Sequence, residues 1–156
     1  MVVRISKGRF DPERVGDAID ALPAAAFAGK IVIDANNYYP NRDGHLSELD
    51  RDETTSTELL AQYMPRARVV KALNTMYYAT LVEAGDTTAP PDERLALFVA
   101  GDDREAKRMV IDLIDALGFA AIDTGGLADG GRRQQPGSPI YNTRLTGAQA
   151  RAALAR

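Results

Sequence analysis

Apolar residues along the chain alternate between two spacings. Ile31, Val32 and Ile33 form an unbroken β-branched run behind Gly29, and Val69 to Leu73 and Leu95 to Ala100 are further largely apolar runs. Such runs, apolar on both faces, are what strands inside a parallel sheet require. Val2 to Ser6 is a shorter run of the same kind, and Phe119 to Ile122 ends the series before Asp123-Thr-Gly-Gly. Between these runs the period lengthens. Val15, Ala18, Ile19 and Leu22 recur at helical spacing over Pro12 to Leu22. Thr55-Ser-Thr-Glu58 has the pattern of a capping box and opens a helix over Leu59, Leu60 and Tyr63 that Pro65 stops. Tyr77 to Ala84 reads as a short helix and Asp86 to Glu93 as a loop. Ala106, Met109, Val110, Leu113, Ile114 and Leu117 form one apolar stripe. Asp102, with Glu105 three residues later, is its expected cap, and Gly118 stands where a left-handed residue ends a helix. Ala128 to Asn142, rich in Gly and Pro, reads as a loop, and Thr146 with Gln149 opens a terminal helix. Alternating strands and helices predict a parallel α/β sheet with right-handed crossovers.

Composition narrows the function classes. At 156 residues one domain is expected, with 45% hydrophobic and 26% charged residues, as in an ordinary globular chain. The net charge of −3, with no visibly basic face, gives no footprint for nucleic acid. There is no cysteine, which removes disulfides, thiolate catalysis and cysteine-based zinc sites, and the single His45 cannot build a histidine metal site alone. No stretch approaches the ~20 apolar residues that span a bilayer. MVVRISKGRF lacks the apolar core of a signal peptide, so a cytoplasmic location is expected.

Two strands end alike. Asn36 and Asn37 follow the first internal strand, and Asn74 and Thr75 follow the second. Ligands of open parallel sheets bind outside the carboxyl ends of the strands. Side-chain amides there suit hydrogen bonding to a carboxamide; the other reading of Asn36 and Asn37 is a turn, and of Asn74 and Thr75 a helix cap. Tyr38, Tyr39, Tyr77 and Tyr78 lie beside these ends and either wall a ring-binding cleft or pack at its edge. Asp102 and Asp103 precede the apolar stripe and read as caps rather than an acid–base pair. Arg132 and Arg133 belong either to a substrate lid that reads phosphate or carboxylate, or to a solvated loop. No G-x-G-x-x-G fingerprint occurs among the glycines, and no G-x-S-x-G points to a hydrolase.

VIDANNYYP, TTSTELL, RVVKALNT, VAGDD and GF-x-x-IDTG, in this order, resemble the coenzyme F-420-dependent NADP oxidoreductase family and the cytosolic domain of transmembrane ferric reductases. The resemblance covers Lys30 to Gly126, and RRQQPGSPIYN fits the soluble bacterial members. It implies a Rossmann domain that binds NADP(H) and passes hydride between nicotinamide and a deazaflavin or flavin. It places Asn36, Asn37, Ala72, Leu73, Asn74 and Thr75 near the cofactor, and Tyr38, Arg132 and Arg133 near the substrate. No catalytic side chain and no metal are implied, since hydride transfer asks the protein chiefly to position the cofactor. Family members begin with a glycine-rich half, so MVVRIS corresponds to a fourth strand. The expectation is an incomplete Rossmann-like sheet over residues 1–126, with helices on both faces and a carboxyl-terminal loop and helix over 127–156. An exposed first strand invites pairing with a second copy. The competing expectation is a non-catalytic interaction domain that binds no cofactor.

Overall fold

A computed structural model describes residues 2–4 and 24–155. The helix expected over Pro12 to Leu22, and the end of the first strand at Ile5 and Ser6, lie outside the described residues. Five strands form one sheet in the order β1 (Val2–Arg4), β2 (Ile31–Asp34), β3 (Arg68–Ala72), β4 (Ala96–Gly101), β5 (Ala120–Gly125). Seven α-helices are described: α1 (Pro40–Asp43), α2 (Ser47–Asp50), α3 (Ser56–Tyr63), α4 (Tyr78–Glu83), α5 (Arg104–Ala116), α6 (Asp129–Arg133) and α7 (Gly147–Leu154).

The pleat of the sheet sorts its side chains into two layers. Ile31, Ile33, Val70, Ala72, Leu97 and Val99 pack against Ala106, Val110 and Ile114 of α5. On the opposite face Val32 and Val69 meet Leu60 and Met64 around α3, while Ala96, Phe98 and Ile122 meet Ile140 and Ala150 of α7. The expected capping boxes of α3 and α7 both form, and Gly118 adopts φ 85°. The stripe on α5 is narrower than expected, because Met109 and Leu117 stay about half exposed at 53% and 50%. The cap of α5 is Asp103, which accepts from Ala106 N–H at 2.9 Å. Asp102 instead accepts from Leu127 N–H at 2.9 Å, and Glu105 pairs with Arg68.

The sheet is parallel, as expected, at every described pair but one. β1/β2, β2/β3 and β4/β5 are parallel, but β3 and β4 run antiparallel. A parallel return needs a crossover of a dozen residues or more, usually a helix lying on the sheet. The helix between these strands, α4, has six residues and buries none of them. The chain therefore re-enters the sheet at the end it left. As a result β4 and β5 finish at the edge opposite the ends of β2 and β3. The segment after β5, expected as loop from Ala128, contains α6, which leads back to Gln134 beside Asn74.

Candidate functional site

The carboxyl ends of β2 and β3 open into a cleft of about 380 Å³ lined by Ala35, Asn37, Tyr39, Leu73, Asn74, Thr75, Met76, Tyr77, Tyr78, Leu81, Tyr141 and Asn142. Its floor is a reciprocal amide pair. Asn37 Nδ2 donates to the Asn74 carbonyl at 2.9 Å, and Asn74 Nδ2 donates to Asn37 Oδ1 at 3.0 Å. Asn74 Nδ2 also reaches the Gln134 carbonyl at 2.9 Å. Between strand and pair, Leu73 takes φ 65°, a left-handed conformation uncommon outside glycine. That turn swings the chain off the β3 line and lets Asn74 point back at Asn37.

A second layer supports this floor. Arg42 donates to the Asn37 carbonyl at 2.8 Å while it is ion-paired to Asp43, and its guanidinium lies 4.7 Å over the Tyr39 ring. Tyr39 and Tyr141 hydroxyls are hydrogen-bonded to each other, and Asn37 Nδ2 reaches Tyr141 Oη at 3.3 Å. Burial, and then the bond to Tyr39, raises the Tyr141 pKa. Asn142, at φ 52°, donates its N–H to the Thr75 carbonyl at 2.8 Å and ties this returning segment to the end of β3.

Two groups at the cleft carry unused hydrogen-bonding capacity. Asn74 Oδ1 and Thr75 Oγ1 are buried and have no protein partner. Buried polar atoms are nearly always paired, so such atoms ask for a ligand or solvent partner. Among the described residues of the lining, tyrosines are the only titratable side chains. The cleft therefore suits an uncharged group with both a donor and an acceptor, against aromatic walls.

Of the residues expected from sequence, Asn37, Leu73, Asn74 and Thr75 meet in this cleft. Asn36 instead makes the turn, with its N–H and Nδ2 both on Asp34 Oδ1 at 3.1 and 3.0 Å. Ala72 is fully buried in the core facing α5. Asn74 and Thr75 cap no helix, since the N-cap of α4 is Tyr77, which makes no side-chain cap bond. Tyr38 lines a neighbouring hollow with Pro40, Leu49 and Pro136, and its hydroxyl donates to Asp50 at 2.7 Å. Arg132 faces Asp52 at 3.2 Å, and Arg133 borders a small apolar hollow beside α7. Tyr141, Asn142 and Met76 are not marked by the sequence; Met76 looks like an ordinary core residue next to Thr75, and no local pattern marks Tyr141 or Asn142, which arrive from about 65 positions downstream. Buried Lys71 was legible in principle, as a lone cation inside the run Val69-Val70-Lys71-Ala72.

No family model matches the chain. Over 105 residues, 67% of its length, it is 34% identical to the metalloreductase STEAP3 of Rattus norvegicus, and it spans 19% of that protein. Two solved structures are similar. The hypothetical protein SMa0349 from Sinorhizobium meliloti superposes with TM-score 0.70 at 32% identity, covering 87% of this chain and 63% of its own. A candidate F420-dependent NADP-reductase from Arthrobacter sp. FB24 gives TM-score 0.62 at 30% identity, covering 84% and 58%. Sheet, cleft and likenesses together define a Rossmann-like α/β domain. With the ordered sequence blocks, they fit a Rossmann-like reductase family. Among the described residues no helix is long and apolar enough to cross a membrane, and no group of three His, Cys, Asp or Glu is arranged to hold a metal ion.

Proposed function

We propose that the cleft at the ends of β2 and β3 receives the nicotinamide end of NADP(H), in a reductase that passes hydride to a deazaflavin or flavin-type acceptor. The supporting observation is the pair of unpartnered buried atoms, Asn74 Oδ1 and Thr75 Oγ1, beside the Asn37–Asn74 amide pair. A primary carboxamide offers a donor to the first and an acceptor to the second. The bound nicotinamide would supply the hydride. The protein's part is to hold the ring flat between Tyr39, Tyr77 and Tyr141 and to exclude charge. In this reading residues 127–156 complete the Rossmann-like domain of residues 1–126, since Gln134 and Tyr141 brace the cleft. Arg132 and Arg133, outside the cleft lining, are left to meet the acidic tail of an acceptor at its rim. Titration of NADPH against the purified chain, read by saturation transfer to the nicotinamide protons, is expected to be saturable and to vanish in Asn74→Ala. Contact confined to the adenine protons would overturn the assignment.

A second reading is favoured by the position of β1. It is outermost in the described sheet, where unpaired backbone groups can recruit another copy. Sedimentation of the chain should then show a concentration-dependent dimer; a monomer at every concentration removes this reading.

A further inference from the structure

Beneath the cleft, a lysine, an aspartate and a threonine are sealed inside the fold. Lys71 on β3 and Asp34 on β2 are cross-strand partners, 1% and 2% exposed, and Thr57 on α3 is fully buried. Lys71 Nζ donates to Thr57 Oγ1 at 2.9 Å and to the Asn36 carbonyl at 3.1 Å, and it stands 3.5 Å from Asp34 Oδ2. The Thr57 hydroxyl donates in turn to Asp34 Oδ2 at 2.5 Å. Asp34 Oδ1 accepts from the Asn36 N–H and Nδ2. All three ammonium donors and both carboxylate oxygens are thereby partnered.

Such a pair is a weak source of stability. Desolvating two charges offsets their attraction, and apolar side chains of similar volume usually serve as well or better. What the network supplies is direction. Three of its bonds end on Asn36, which hands the chain to Asn37, and none of the three side chains lines the cleft. Building on the nicotinamide reading of the cleft, we propose that Lys71, Asp34 and Thr57 are positioning residues. Lys71 grips the carbonyl of Asn36 while Asp34 grips its N–H. The turn is thus clamped on both sides, and the Asn37 amide is held in register with Asn74. Loosening the clamp leaves the sheet intact but lets Asn37 rotate out of the reciprocal pair.

Two changes test this without depending on a costly unpaired charge. Lys71→Met combined with Asp34→Asn removes both charges and keeps an acceptor for Asn36. Thr57→Val removes only the hydroxyl, and Thr57→Ser restores it. In the first two, folded by circular dichroism, the side-chain amide NMR signals of Asn37 and Asn74 are expected to move and lose their mutual nuclear Overhauser effect. NADPH affinity should fall about tenfold, as for one misplaced hydrogen-bonding contact. Thr57→Ser should keep both signals in place. Amide signals at their original positions in the folded double variant and in Thr57→Val would overturn the positioning role. If the unmodified chain shows no saturable contact with the nicotinamide protons, the cofactor reading falls, and the asparagine signals alone decide the clamp.

Discussion

Asn74 shows how much one side chain carries at this site. Its Nδ2 satisfies two acceptors, Asn37 Oδ1 and the Gln134 carbonyl, which come from distant parts of the chain. Asn74→Ala strands both and is expected to cost about 1–3 kcal/mol in urea unfolding. Asn74→Asp should cost more, because a carboxylate would face those two oxygens with no donor of its own. Lys71 gives a sharper contrast. Lys71→Met alone leaves the Asp34 carboxylate buried beside a single hydroxyl and one turn, an expected loss of about 3–5 kcal/mol. Adding Asp34→Asn should recover most of it; equal stability of single and double variants would contradict the cost of an unpaired buried carboxylate. Neither arrangement is legible from residue type alone. Asn36 and Asn37 read equally well as turn formers, and of the two it is Asn36 whose side chain bonds back to Asp34.

At the scale of elements, capping is where local sequence and structure agree best, because a cap depends on neighbours three residues away. Thr55 with Glu58 and Thr146 with Gln149 formed as expected. For α5 the cap moved by one residue to Asp103, since Arg68 at the start of β3 binds that carboxylate through two bonds of 2.7 Å. Arg68, and then the Ala106 N–H, hold the Asp103 pKa well below the usual carboxylate range. A depressed native pKa gives stability that is present above the unfolded value of about 4 and is lost as pH falls through the lower native one. Asp103→Asn should therefore be less stable than the parent at neutral pH, with the gap closing only below about pH 4. Urea midpoints across that range check it, and a constant gap would contradict the pairing. Helix α6 depends on a close approach that no cap predicts. A Cβ on Gly130 would sit 2.7 Å from the Thr124 carbonyl carbon. Gly130→Ala should push α6 off β5 at a cost of about 1–3 kcal/mol, and the displaced Gln134 should weaken NADPH binding as well. Full affinity in that variant would separate α6 from the site.

Across the whole molecule, the antiparallel β3/β4 pair decides what the cleft is made of. Because β4 runs antiparallel to β3, β4 and β5 end away from Asn37 and Asn74, and the chain must climb back through α6 to deliver Gln134, Tyr141 and Asn142. The runs of apolar residues, the stop at Pro65, the helix ended by Gly118 and the two polar strand ends follow from the sequence alone, because each is a matter of period, backbone freedom or adjacent caps. The direction of β4, the left-handed turn at Leu73, the Lys71–Asp34–Thr57 clamp and the arrival of Tyr141 at the amide pair were decided only in three dimensions. All but the turn at Leu73 join residues separated by tens of positions, and the energy that selects them is burial and hydrogen-bond satisfaction in the packed fold, which no local window of sequence contains.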